Sequence, residues 1–289
     1  MNIQWYPGHM AKARRKIAEE LKLVDVVIEL LDARIPISSR NPEVDNIVGN
    51  KKRIIILNKS DIADPDANAA WKKHFAQRGI TTILADATKG KGLKEITAES
   101  KRLMKDEIEK LKKKGLLHKT IRALVIGIPN VGKSTLINKL ANRSIAETGD
   151  RPGVTKSKQW IKVNNGFELL DTPGILWPKF DDETVGLHLA FTGAIKDEIL
   201  DIEELAKKFI QKALKEFPDK LNKRYNIDTE SLSDAESILN SIGRRRGCIL
   251  PGDEIDMTRA ASLVLDDFRD GRIGLITLEK PADYSIGEK

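Results

Sequence analysis

The sequence is poor in the residues that staple or anchor a protein. It has one cysteine, Cys248, so no internal disulfide is possible and the fold must be held by its core. A lone thiol fits a reducing compartment, and a cytoplasmic location is the expectation. The four histidines, His9, His74, His118 and His188, are widely separated and lack cysteine companions, which argues against a structural zinc site. No apolar run approaches the length of a membrane span, and the first residues lack the apolar stretch of a secretory signal. No internal repeat or low-complexity segment is visible.

What is present reads as globular. The 289 residues are 40% hydrophobic and 32% charged, enough for one large domain or two ordinary ones. Lysine and arginine number 50 against 43 acidic residues, a net charge of +7. That mild excess permits an anionic partner without requiring one.

Residues 1–10 read as an irregular segment turning at Pro7-Gly8, followed by a helix with Met10, Ile17 and Leu21 on one face. The rest of that helix is basic, through Lys12, Arg14, Arg15 and Lys16. This fits either a solvated surface or an arm on RNA phosphates. Trp5 and Tyr6 either anchor the arm or stack on bases. Apolar runs at 24–31, 53–57 and 80–84 then alternate with helical patterns near 67–77 and 93–114, the last a long lysine-rich helix closed by Gly115. Alternation of this kind predicts a parallel α/β sheet whose ligands bind at strand carboxyl ends. Two further strands, 159–163 and 167–170, are joined by the hairpin signal Asn164-Asn165-Gly166. From about Asp181 the period is helical. Ile202, Leu205, Phe209, Ala213 and Phe217 trace one stripe, Ser233 with Glu236 forms a capping box, and Gly243 ends that helix. Residues 273–278 read as a short strand or extended segment, and no fixed structure is expected from about Ala282 onward.

The chemistry centres on Gly127-Ile-Pro-Asn-Val-Gly-Lys-Ser134. It follows the apolar run 121–126 and opens a helix carrying Leu136, Ile137 and Leu140, the order of a P-loop. Gly127 and Gly132 allow the backbone to wrap a phosphate, and the helix N-terminus presents N–H groups to it. Asn130, Val131, Gly132 and Thr135 are the phosphate-lining positions. Lys133 is placed to reach the β- and γ-phosphates, and the Ser134 hydroxyl to bind Mg²⁺.

A second motif, Asn58-Lys59-Ser60-Asp61, matches the guanine-recognition pattern Asn-Lys-x-Asp. A carboxylate at Asp61 accepts from guanine N1–H and its N2 amine together, and adenine offers neither donor. Asn58 would meet the base's major-groove edge and Lys59 pack along the ring, with Ser60 completing the loop. Asp171-Thr172-Pro173-Gly174 matches Asp-x-x-Gly. Asp171 would hold Mg²⁺ through water, Gly174 N–H would sense the γ-phosphate, and Thr155 would be the switch threonine closing on both. Asp86-Ala87 resembles the Ser-Ala pair with which GTPases carrying these motifs place a backbone N–H on guanine O6, with Asp in place of the usual Ser.

The motif order is rotated, because the base-recognition elements precede the phosphate elements. The chain therefore looks like a circularly permuted GTPase: an α/β, mostly parallel P-loop domain over 1–178, then a helical and RNA-contacting domain over 179–289. With Trp5-Tyr-Pro-Gly-His-Met10 at the start and Asp32-Ala-Arg-Ile-Pro36 after the first strand, the whole chain resembles the ribosome biogenesis GTPase A family. The resemblance implies a GTP-hydrolysing factor for a late step of large (50S) subunit assembly, binding 23S rRNA and the immature particle in a GTP-dependent way. It also implies Mg²⁺ as cofactor and a monomer off the ribosome. The alternative is a nucleotide-gated RNA-binding module with incidental hydrolysis. The water-orienting glutamine that Ras-like enzymes place after Asp-x-x-Gly is Ile175 here. His9 and a K⁺ ion on Asn130 are the two candidates to replace it. Arg244-Arg245-Arg246, with Arg259, Arg269 and Arg272, form either solvated surface or an RNA-contacting face.

Overall fold

The computed structural model describes residues 17–115, 118–142, 160–164, 166–170, 182–232 and 234–284. It divides into two compact units, Met1–Asp181 with Thr277–Lys289, and Asp182–Ile276.

The first unit is built on one six-stranded sheet in the order β3-β2-β1-β4-β6-β5. Its strands are β1 (Val26–Asp32), β2 (Lys52–Asn58), β3 (Thr81–Leu84), β4 (Ile121–Gly127), β5 (Trp160–Asn164) and β6 (Phe167–Leu170). All pairings are parallel except the β5–β6 hairpin at the edge, where the register shifts between Lys162 and Asn164. From β1 the chain winds outward through β2 and β3, whereas β4 continues to β6 on the other side. The order therefore reverses between β1 and β4, where a doubly wound sheet opens its ligand crevice. Every residue of β1 is buried, as a strand covered on both faces requires. Its one carboxylate in mid-strand, Glu29, is paired with Arg40 and Arg53.

Among the described residues, the helical stretch 17–21 is followed in this unit by α1 (Val44–Val48), α2 (Pro65–Gln77), α3 (Leu93–Leu103), α4 (Lys105–Lys113) and α5 (Lys133–Ala141). Asp64 caps α2 by accepting from Asp66 N and Ala67 N, with Pro65 at the first helical position. The expected single helix over 93–114 is broken at Met104, which is buried between α3 and α4. Lys101 and Arg102 end α3 and Asp106 and Glu107 begin α4, so each charge pair suits its own helix terminus. α3 buries Leu93, Ile96 and Ser100, whereas no residue of α4 is buried.

His74 of α2 packs against Trp71 and Phe75, at 5.1 and 5.6 Å between ring centroids. Burial, with repulsion from Arg78 and Arg40, pushes its pKa below the ordinary histidine value. The unfolded chain then binds more protons than the folded one once the pH drops below about 6.5, so this contribution is complete above that pH and lost below it. His74→Gln is expected to flatten the acid side of a urea-denaturation series between about pH 7 and 5. An unchanged slope would refute the assignment.

The second unit comprises α6 (Glu183–Phe191), α7 (Ile202–Glu216), α8 (Pro218–Tyr225), α9 (Ala235–Arg245) and α10 (Met257–Arg269). Phe209 anchors its core against Phe268 and Phe191, at 4.8 and 5.4 Å between centroids. The predicted stripe of α7 is realised by Leu205, Phe209 and Ala213. Two details of α9 differ from expectation. Its cap is Asp234, which accepts from Ser237 N at 2.8 Å, and Ser233 lies outside the described residues. Gly243 sits inside the helix and does not end it. A Cβ there would stand 2.6 Å from Ile255 Cγ2, so this glycine serves close packing.

Residues 277–284 group with the first unit and not with the helices before them. Leu278 N donates to Arg34 O at 2.8 Å, and Tyr284 packs on Trp71 at 5.7 Å. The expectation of no fixed structure from Ala282 is thus corrected as far as Tyr284. Pro281–Asp283 is a 3₁₀ turn whose neighbouring ring covers the Trp71 cluster.

Candidate functional site

The carboxyl ends of β1, β2 and β4 lie side by side, with Asp32 opposite Asn58 and Leu30 opposite Gly127. The loops leaving these ends carry the motifs. At Gly132 the backbone turns into the left-handed region, at φ +95°, and α5 begins with Lys133. Asn130 is also left-handed, at φ +57°, which asparagine tolerates. Lys133 is buried at the helix start, and Ser134 and Thr135 beside it are half-buried.

Asn58 joins the loops. Its Nδ2 donates to Val131 O at 2.8 Å, and its Oδ1 accepts from Ala87 N at 3.0 Å. One buried amide thus bridges the Asn-Lys-x-Asp loop, the P-loop and the loop after β3. In this arrangement the Ala87 N–H is directed to Asn58 Oδ1.

Lys59, at φ +59°, sends its ammonium to Asp32 Oδ2 at 3.2 Å. Asp32 is buried and is also held by Arg34, through Nε at 2.9 Å, Nη2 at 2.7 Å and its backbone N–H at 3.0 Å. Burial pushes the Asp32 pKa up, but the charges of Arg34 and Lys59 outweigh it and hold the carboxyl well below the usual carboxylate range. Ser60 donates to Ala85 O through both N and Oγ, which pins the loop to the end of β3. Asp61, partly exposed, meets Lys89 Nζ at 3.1 Å.

Asp86 uses its carboxylate locally. Its Oδ1 accepts from Thr88 N at 2.9 Å and Lys89 N at 3.0 Å, folding the loop back on itself. Burial opposes the charge, yet these amides and the Lys89 ammonium lower its pKa. The aspartate in place of the usual serine thereby shapes the loop.

Among the sequence candidates, the structure brings together Asn58, Lys59, Ser60, Asp61, Asp86, Ala87, Val131 and Gly132. His9, Thr155, Asp171 and Gly174 lie outside the described residues. The Asp32–Arg34 pair and Lys89 had not been given a site role. A carboxylate ending the strand next to Asn58 was the available signal for Asp32, whereas Lys89 carries none.

Comparison with known proteins bears on the family of the chain. A family profile described as "50S ribosome-binding GTPase" matches residues 122–230. A Bacillus licheniformis protein named "Ribosome biogenesis GTPase A" is 50% identical over 283 residues, covering 98% of this chain and 100% of that relative. Two solved YlqF structures cover 93% of the chain. One is GDP-bound, with a TM-score of 0.65 at 28% identity and all of its own chain covered. The other is GNP-bound, from Thermotoga maritima, with 0.63, 29% and 98%. Base-recognition loop ahead of P-loop, a sheet that reverses between them and a full-length relative at half identity lead to one conclusion: the chain is a circularly permuted GTPase and belongs to the ribosome biogenesis GTPase A family.

Proposed function

We propose that this GTPase acts late in assembly of the large (50S) ribosomal subunit, binding 23S rRNA and the immature particle when GTP is bound. The observation that carries the reading is the Asn58 bridge. It makes the guanine loop and the P-loop one rigid site, in a chain whose full-length relatives bear a ribosome-biogenesis name. In this reading Asp61 accepts from guanine N1–H and N2, with Asn58, Lys59 and Ser60 holding its loop. Asp86 and Ala87 close the base end. The amides of 130–135 and Lys133 hold the phosphates, and Lys133 stabilises charge on the transferred group. Gly174 senses the γ-phosphate.

Mg²⁺ is bound through hard oxygens, mostly substrate phosphates and few side chains. The Ser134 hydroxyl, half-buried in the first turn of α5, fits as one such donor. Thr155 and Asp171 are proposed as the others. The metal would neutralise charge developing on the phosphates. For the attacking water the candidates remain His9 and K⁺ on Asn130.

RNA contact by the helical unit rests on fewer arginines than the sequence offered. Arg269 is used internally, on Asp197 at 2.7 Å through both Nη1 and Nη2, and Arg272 pairs with the buried Asp267. Arg244 pairs with Asp253, and Arg246 donates to Arg224 O while lying over the Tyr225 ring at 5.4 Å. The exposed Arg245 and Arg259 are the better phosphate ligands.

Single-turnover GTP hydrolysis, with and without large-subunit precursor particles and in K⁺ or Na⁺, tests the assignment. Particles should accelerate hydrolysis by at least about tenfold, about 1.4 kcal/mol off the barrier. K⁺ should exceed Na⁺ if Asn130 holds the ion. Equal rates with and without particles would favour an RNA-binding module with incidental hydrolysis.

A further inference from the structure

We propose that residues 277–284 form a strap that sets the geometry of the guanine loop, with Glu279 as its positioning residue; this rests on reading Asn58–Asp61 as the guanine end of the site. Glu279 is 1% exposed. Its carboxylate accepts from Ile37 N at 2.7 Å, from Ser38 N at 3.0 Å and from the Ser38 hydroxyl. Its carbonyl accepts from Trp71 Nε1 at 3.0 Å. Two residues earlier, the Thr277 hydroxyl accepts from Asp64 N at 3.1 Å and donates to Ala33 O at 3.4 Å.

These contacts fall on the two segments that flank the guanine loop. Asp64 follows Asp61 by three residues and caps α2. The turn after β1 holds the loop from the other side, since Ala33 N donates to Asn58 O at 2.9 Å and Asp32 pairs with Lys59. Ser39 Oγ, next to the Glu279-bound Ser38, accepts from Asp32 N at 3.0 Å. A segment merely tucked away would be covered most cheaply by apolar side chains, because a buried carboxylate is costly unless its oxygens are saturated. Here the charge saturates two backbone amides and a hydroxyl of one turn, which fixes that turn's conformation.

The test uses the full chain and the ratio of GDP to IDP affinity. Hypoxanthine lacks the amine that Asp61 reads, so this ratio reports the base end alone. Glu279→Gln and the near-isosteric Thr277→Val should each lower the GDP preference by about three- to thirtyfold, with the GTP-to-GDP ratio unchanged. Thermal midpoints are measured alongside. Variants that melt earlier but keep the full GDP preference would overturn the strap and leave a structural role. An unaltered chain that does not separate GDP from IDP, or an Asp61→Ala chain that still does, would overturn the guanine reading and the strap with it.

Discussion

Replacing Asp61 by Asn is expected to weaken GDP binding by roughly 10²- to 10⁴-fold and to create affinity for XDP. The carboxylate is acceptor-only, and in the proposed assignment it would face a guanine edge that offers two donors, N1–H and N2–H. Hydrogen bonds to a charged group are worth about 1.5–3 kcal/mol each, so loss of one, weakening of the other to a neutral bond and a donor–donor repulsion together span about that range. An Asn keeps one neutral acceptor for N1–H and turns a donor toward the N2 amine, so the N2 interaction is replaced by repulsion between two donors and the N1 bond loses its charge. Xanthine presents a carbonyl at position 2 and suits that donor. Lys89, which pairs with Asp61 at 3.1 Å, also loses one of its two carboxylates and keeps Asp86, but this pair is solvent-exposed and adds little. Competition titrations with GDP and XDP measure both changes. GDP affinity within threefold of the unaltered chain would remove Asp61 from the base end, and with it the guanine assignment.

The sequence exposes those parts of the site whose chemistry is local. Asn58–Asp61 and Gly127–Ser134 are short runs in which backbone shape and functional groups are encoded together. Their placement at the ends of β2 and β4 followed from apolar runs that the structure reproduces within two residues or so. The base end is built differently. Glu279 reaches Ser38 across 241 positions, and neither residue carries a signal that names the other. Arg34 is fully buried, although its type predicts a surface position, because Asp32 lies beside it to take the guanidinium. Gly243 illustrates a limit of another kind. A glycine near the end of an apolar-periodic run fits a helix C-terminus and a close helix contact equally well, and only Ile255, packed against it, decides for the second. The break at Met104 has the same origin, since its burial ends one helix inside a run whose charge pattern permits either one helix or two.

Gly132→Ala should be the most damaging small substitution in the nucleotide site, and its effect should depend on Asn58. The alanine Cβ would stand 2.4 Å from Asn58 Nδ2. A flexible side-chain tip normally swings away at little cost. Asn58 has no such freedom, because the same amide donates to Val131 O and accepts from Ala87 N. Moving it leaves buried polar groups unpaired, at about 1–3 kcal/mol each. The φ of +95° adds strain of about 1–3 kcal/mol for any residue with a Cβ. We expect the variant to lose at least about 2 kcal/mol of stability and about a hundredfold in GDP affinity, because the bridge between base end and phosphate end is broken. Asn58→Ala alone should weaken binding by removing the bridge without a clash. In the double variant the clash is gone, so the combined loss should fall short of the sum by at least about 1 kcal/mol. Urea denaturation and GDP titration of the four proteins in this cycle give the coupling. Strict additivity would mean that Gly132 acts through its backbone conformation alone and that the Asn58 bridge does not hold the P-loop.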